Sequence, residues 1–161
     1  MKSYFYLSIV AVCACLLTGC ASTPIYHDVK ASLTPQAGKG LVLFYYKSGA
    51  FGGLAKWHIY ANDKVLTAKF KRGSFYSYQA DPGELRLFTT KNVTYIGVLP
   101  SLFGLIPEDQ PTIHIEPNQT YYMEMSNDFS NANPAGGVKL KQISKEGGEE
   151  GIKDCQWINP P

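Results

Sequence analysis

The chain has 161 residues, and its 15 Lys and Arg against 13 Asp and Glu give a formal net charge of +2 at pH 7. Only two of the basic residues are arginines, Arg72 and Arg86. This near-neutral balance lacks the basic footprint of nucleic-acid-binding domains, so we exclude nucleic acid as the expected partner. The length suits a single domain.

The N-terminus begins with a short apolar stretch behind one positive charge. Lys2 precedes residues 4–17, which would span only about 21 Å as a helix, less than the roughly 30 Å hydrocarbon core of a bilayer. The stretch is therefore typical of a cleavable signal peptide rather than of a permanent membrane span.

The four residues Leu17-Thr18-Gly19-Cys20 resemble the lipobox of bacterial lipoproteins, an aliphatic residue and two small residues before a cysteine. The resemblance implies that residues 1–19 are a lipoprotein signal peptide, cleaved between Gly19 and Cys20, and that Cys20 carries a diacylglyceryl group. The freed amine would usually take a further acyl chain such as palmitate, and two or three chains anchor a protein stably where one does not. The alternative is an ordinary secretory signal with a chance cysteine.

The residue after the lipobox predicts the location. By resemblance to enterobacterial lipoproteins, Asp at this position favours retention in the inner membrane, whereas this chain has Ala21. We therefore expect a protein anchored in the outer membrane and facing the periplasm, with the inner membrane as the less favoured location.

One cysteine of the four remains free in the mature chain. Cys13 and Cys15 leave with the signal peptide and Cys20 is acylated, so Cys155 has no partner. A lone cysteine in an oxidising compartment indicates intermolecular pairing, a buried thiol or no special role. Because the acidic, Gly-rich residues 146–151 would raise its pKa, a nucleophilic role is disfavoured.

The mature chain divides into three parts by composition. Residues 20–40 contain Pro and Gly turns and are expected to form the lipidated N-terminus and a flexible tether. Residues 41–144 form the domain. Residues 145–161 are expected to be a loose tail, although Ile152, Trp157 and Ile158 could dock back onto the domain.

The domain shows short strand patterns and no long helical periodicity. The apolar run 41–46 is typical of a strand covered on both faces. Asn62-Asp63 predicts a tight hairpin and Asp81-Pro82-Gly83 a turn. The predicted strands are 41–46, 57–60, 65–68, 75–78, 85–87, 113–115, 121–125 and 138–141. We therefore predict an all-β fold, a single antiparallel β-sandwich of seven to eight strands.

Several of these segments resemble a family of small bacterial lipoproteins of unknown function. The resembling segments are Gly40–Tyr46, Ile59–Asp63, Gly73–Tyr78, Pro82–Glu84 and Gln119–Tyr122. The same Pro-Gly-Glu turn occurs in related surface domains with a transthyretin-like or carboxypeptidase-regulatory sandwich. The resemblance covers roughly residues 39–143 and implies a sandwich domain, but no catalytic residues. Residues 91–110 depart from the family pattern by being longer and more apolar.

The sequence carries no recognisable catalytic or metal-binding motif. His27, His58 and His114 share no metal-ligand spacing, and the last two alternate with apolar residues as surface positions do. We therefore expect no enzyme activity, no catalytic residues, no metal and no cofactor.

Two segments are candidates for a contact surface. Residues 48–54 form a Gly-rich loop that presents Phe51, and residues 93–106 carry almost no charge and include Leu102, Phe103 and Leu105. An exposed apolar patch of this kind marks a partner or membrane contact. The simpler alternative is that the second segment folds onto one end of the sandwich as a strand and a short turn.

These observations predict a lipid-anchored cell-envelope protein that acts as a structural or protein-interaction module. It would contact the membrane through Cys20 and an envelope protein through the apolar segments. The alternative is a carrier of a small apolar ligand within the sandwich.

Overall fold

The computed structural model describes residues 23–48, 56–91, 111–128 and 137–159. Its strands are β1 (Gly40–Tyr46), β2 (Trp57–Ala61), β3 (Lys64–Phe70), β4 (Ser74–Ala80), β5 (Gly83–Lys91), β6 (Thr112–Ile115), β7 (Thr120–Asp128), β8 (Gly137–Ile143) and β9 (Gln156–Trp157). Its helices are α1 (Tyr26–Val29), a following 3-10 helix (Lys30–Ser32) and α2 (Lys145–Ile152). A five-stranded sheet, ordered β8-β7-β1-β4-β9, packs against a four-stranded sheet, ordered β3-β2-β5-β6.

The predicted all-β sandwich is confirmed, and each of the eight predicted strands corresponds to one of β1 to β8. β9 was not predicted. Most neighbouring strands are antiparallel, but β1 pairs in parallel with β7, and β4 pairs in parallel with β9. The five-stranded sheet is therefore mixed rather than purely antiparallel as expected, because strands far apart in the sequence meet at its centre and edge.

Two predicted turns supply the positive φ angles that tight connections need. Asn62 and Asp63 have φ angles of 45° and 66° between β2 and β3, as a two-residue hairpin requires. Gly83 follows Asp81-Pro82 with a φ of 122°, which residues with a side chain rarely adopt. The Asn62 side chain also accepts a hydrogen bond of 3.0 Å from the Arg86 backbone N–H, so the hairpin is tied to β5.

One face of β1 packs into the core between the two sheets. Val42, Phe44 and Tyr46 point into this core and are at most 5% exposed. The side chains that meet them include Trp57, Ile59, Ala61, Phe70, Ala80, Leu85, Leu87, Ile113, Ile115, Met123, Met125, Val138 and Leu140. Members from both sheets contribute, so this cluster holds the sandwich together.

The other face of β1 packs into a second cluster. Its buried members are Tyr26, Leu41, Leu43, Tyr45, Phe75, Tyr122, Ile152, Cys155 and Trp157. Tyr26 comes from α1 and Trp157 from β9, and they are 3% and 7% exposed. All seven residues of β1 are thus buried, which confirms the prediction of a strand covered on both faces.

The folded domain extends beyond residues 41–144 at both ends. The Trp157 N–H donates to the Pro24 carbonyl at 2.8 Å, and the Tyr26 N–H donates to the Cys155 carbonyl at 2.9 Å. The expected tether is therefore folded from Pro24 onward, and the expected loose tail is folded from Lys145 to Asn159. For the C-terminal residues the alternative holds, since Ile152, Trp157 and Ile158 dock onto the domain. A few buried side chains, Tyr26 among them, outweigh the polar and Gly-rich composition around them.

Helix α2 lies close against the five-stranded sheet because of its glycines. A Cβ atom on Gly148 would overlap the Tyr122 side chain, and one on Gly151 would lie 2.7 Å from the Tyr45 ring. Ser144 caps the helix by accepting a hydrogen bond of 3.3 Å from the Gly147 N–H. The glycines therefore lower the intrinsic helix propensity of α2 but allow it to pack closely against the two tyrosines.

Candidate functional surface

Many strand termini meet at one end of the sandwich, which we call the loop end. β1, β3, β5 and β7 end there, and β2, β4 and β8 begin there. Their terminal residues at this end are Tyr46, Trp57, Phe70, Ser74, Lys91, Asp128 and Gly137. The short connection of residues 71–73 passes from one sheet to the other here. We call the opposite end, which carries the turns at 62–63, 81–82 and 116–119, the turn end.

The predicted contact residues lie outside the described residues, but the strands next to them define where their segments attach. Phe51 lies between β1 and β2, so its segment leaves and rejoins the sandwich at the loop end. Leu102, Phe103 and Leu105 lie between β5 and β6. Their segment leaves at the loop end and rejoins at Pro111, whose carbonyl accepts a hydrogen bond of 2.9 Å from the Leu87 N–H. The first segment is thus attached to the loop end on both sides, whereas the second leaves the loop end and rejoins the sheet beside the middle of β5.

Tyr46 lies at the centre of the loop end and holds several elements together. Its hydroxyl donates a hydrogen bond to the Asn127 side chain, and its carbonyl accepts one of 2.7 Å from the Gly73 N–H. The Arg72 guanidinium carbon lies 4.8 Å from the centre of the Tyr46 ring, a cation–π geometry. The Nε atom of Arg72 is buried and has no hydrogen-bond partner among the described residues.

Basic residues flank several strand ends at the loop end. Lys47 follows Tyr46 directly and forms an ion pair of 3.2 Å with Glu124, which also accepts a hydrogen bond of 3.1 Å from the Tyr45 hydroxyl. Burial, with a smaller contribution from Glu124, raises the pKa of Tyr45. Lys56 precedes β2 and Lys71 follows β3, and both are exposed. Within the basic residues 69–72, Phe70 is buried and Arg72 is partly buried.

The described chain begins beside the loop end. Ile25 forms an antiparallel bridge with Gln156, and Gln156 pairs with Ser74, the first residue of β4. Further along, Lys30 forms an ion pair of 2.6 Å with Glu149 of α2. Gly19 and Cys20, the proposed cleavage and lipidation residues, lie outside the described residues.

Cys155 is buried between the N-terminal and C-terminal segments. It is 2% exposed, and its Sγ atom lies 3.8 Å from the Tyr46 carbonyl oxygen. Burial, with a smaller contribution from Asp154, raises the pKa of the thiol to about 12. The acidic tail residues named at the sequence level are therefore not the main cause. Among the three alternatives for a lone cysteine, this environment fits the buried thiol.

The histidines do not form a site among the described residues. His27 and His114 are exposed, and the Nδ1 atom of His58 lies 3.3 Å from the Tyr60 hydroxyl. In the described segments, no group of three or more His, Cys, Asp or Glu side chains comes close enough to hold a metal ion.

An aromatic pair that sequence reasoning missed lies on the outer face of the four-stranded sheet. The rings of Tyr60 and Phe88 stack with their centres 4.4 Å apart and 8° between their planes. Phe88 is only 7% exposed although Leu85 and Leu87, its neighbours in β5, point into the core. The sequence offered one signal, that Tyr60 and Phe88 are out of phase with the core residues of their strands, whereas their position opposite each other depends on the β2–β5 pairing.

The described interior between the sheets is filled with side chains. Phe44, Ile59, Phe70, Leu87 and Met123 are fully buried within it. Such packing leaves the surface of the sandwich, and the loop end in particular, as the candidate for contact with other molecules.

Comparisons of the chain with protein-family models, with curated proteins and with solved structures gave no match in any of the three. None of the helices in the described segments is long and apolar enough to span a membrane.

Proposed function

We propose that the protein is a lipid-anchored module of the cell envelope, located on the periplasmic face of the outer membrane, with a structural or protein-interaction role. The Leu17-Thr18-Gly19-Cys20 pattern supports the anchor, and Ala21 supports the outer membrane. The buried side chains that occupy the interior between the described strands support a role in surface contact more than one in carrying a ligand between the sheets.

The departure of both apolar segments from the loop end carries the proposal. Phe51 is linked to β1 and β2, whose termini lie there, and residues 92–110 leave from the end of β5. Segments that leave from one end of a rigid sandwich can act together as one surface, as binding loops on other scaffolds do. On this proposal Phe51, Leu102, Phe103 and Leu105 form the contact surface.

Copurification from membranes tests the proposal with two variants of the full chain. Cys20→Ser should stay an unprocessed precursor that takes up no labelled palmitate, because the dedicated peptidase reads the lipidated cysteine. Phe103→Asp should keep its label and its melting temperature but lose the copurifying partner, since an unpaired aspartate in an interface is costly.

Val65→Asp is the matched control, because Val65 is 53% exposed on β3 near the turn end. This variant should keep both the anchor and the partner. Normal processing of Cys20→Ser would contradict the anchor. A partner retained by Phe103→Asp would contradict the contact surface, and a lowered melting temperature would show that the segment instead caps the sandwich.

A further inference from the structure

We propose that the sandwich lies against the anchoring bilayer with one edge, which we call the anchor edge and which consists of β9 and of Ile25 beside it. The surface that this edge meets is the phospholipid layer that holds the lipidated Cys20. The inference rests on the lipid anchor of the proposed function and adds the orientation of the domain on the membrane. The opposite edge, β8, and the loop end then stay accessible from the periplasm.

The link between the lipid and the folded domain is short. The Trp157 N–H donates a hydrogen bond of 2.8 Å to the Pro24 carbonyl, so the folded domain already includes Pro24. Only four residue steps separate Pro24 from Cys20, so their Cα atoms lie at most about 14 Å apart. A Cys20 anchored in the bilayer therefore keeps Pro24 within about 14 Å of the headgroups.

Strand pairing sets the direction in which the chain reaches the domain. β9 runs parallel to β4, from the loop end toward the turn end, and Ile25 forms an antiparallel bridge with Gln156 of β9. The chain before Ile25 therefore comes from the side of the turn end, along the outside of β9. The link thus enters the domain at the edge of the five-stranded sheet.

The length of the link rules out two other orientations. β9 and β8 are the outermost strands of this sheet, so four spacings of about 4.8 Å, or roughly 19 Å, separate them. Pro24 is level with Phe75, which pairs with Trp157, and about 17 Å of strand separates Phe75 from Ala80 at the turn end. Both distances exceed the length of the link, so neither β8 nor the turn end can rest on the bilayer that holds Cys20.

The residues of the anchor edge suit a membrane surface. Residues 23–25 and 156–159 carry no charged side chain, and Ile25 and Ile158 are partly exposed. This edge therefore approaches the headgroups without removing a charge from water, which would be costly. The charges just before β9, Lys153 and Asp154, have opposite signs, so the contact does not rely on attraction to anionic lipids.

Fluorescent labels at the two edges test the orientation in the full mature lipoprotein. Gln156→Cys places a thiol on the anchor edge and Gln142→Cys places one on β8, and both glutamines are exposed. Cys155 does not compete for a maleimide, because it is 2% exposed and has a pKa of about 12. The lipidated protein is reconstituted in vesicles of phosphatidylethanolamine and phosphatidylglycerol that contain headgroup-labelled nitroxide lipid.

The label at position 156 should be quenched at least about twofold more than the label at position 142, because roughly 19 Å of sheet separates them. Equal quenching, or stronger quenching at position 142, would overturn the inference. Mass spectrometry of the same preparation keeps the two proposals apart. A Cys20 without lipid would overturn both, whereas a lipidated Cys20 with equal quenching would overturn the orientation alone.

Lengthening the link tests whether it sets the orientation. Ten Gly and Ser residues inserted between Ala21 and Ser22 leave the residue after Cys20 unchanged and raise the extended reach of the link to about 48 Å. This reach exceeds the distance between the two edges, so the quenching ratio should fall toward one. A ratio that the insertion leaves unchanged would overturn the role of the short link.

Discussion

At the scale of single residues, Phe44 shows how β1 holds the two sheets together. Its side chain is fully buried in the core that members of both sheets share, and it lies opposite Tyr76 in the β1–β4 pairing. Shortening a fully buried phenylalanine would weaken the packing of both sheets, because the surrounding side chains relax only partly into the space that it leaves.

Phe44→Ala should therefore lower the free energy of unfolding by about 3–5 kcal/mol through lost burial and the cavity that remains. Chemical denaturation of the protein without signal peptide and lipid measures this change. Val65→Ala is the control and should change stability by less than about 0.5 kcal/mol, because Val65 is 53% exposed. A loss below about 1 kcal/mol for Phe44→Ala would be incompatible with a central, two-sided β1.

At the scale of elements, strands were predictable where local patterns decide the structure. Alternation and turn residues located β1 to β8, and Asn62-Asp63 and Gly83 have the φ angles that their turns require. Helix α2 was not predicted, because three glycines in eight residues argue against a helix. Its capping residue, Ser144, was a readable signal. The helix forms because close packing on Tyr122 and Tyr45 compensates for poor propensity, and no local pattern reports that packing.

Gly148→Ala tests whether helix propensity or close packing has the larger effect on stability in α2. Alanine favours a helix by about 1 kcal/mol over glycine, but its Cβ would overlap the Tyr122 side chain. We expect the overlap to dominate and the variant to lose about 1–2 kcal/mol of stability in thermal or urea unfolding. Gly147→Ala is the control, since Gly147 is exposed and its Cβ would approach only the Ile143 Cγ2 atom, at 2.9 Å, and the Ser144 hydroxyl, so it should cost less stability than Gly148→Ala. Equal or greater stability of Gly148→Ala would mean that α2 stands further from the sheet.

At the scale of the whole molecule, the apolar segments could be recognised in the sequence, but their arrangement in space could not be predicted from it. Phe51 and Phe103 lie 52 positions apart in the chain. Only the pairing of β2 with β3 and β5, and the crossing at residues 71–73, brings the points where their segments leave the sandwich to one end. The contact between Pro24 and Trp157 was equally hidden, because the two residues lie far apart in the chain. Contacts of such long sequence separation leave no local pattern.

Removing the C-terminal segment tests whether it is part of the domain or a loose tail. A chain that ends at Ser144 loses Ile152 and Trp157, which are 0% and 7% exposed, and uncovers Leu43 and Tyr45. Each fully buried apolar side chain contributes about 1.5–3 kcal/mol, so the loss approaches the 5–15 kcal/mol of a whole domain. We expect the truncated protein to lose its cooperative thermal transition and to bind an apolar dye. A chain that ends at Asn159 is the control and should melt as the full chain does. If the chain ending at Ser144 also melted as the full chain does, residues 145–159 would be the loose tail that their composition suggests.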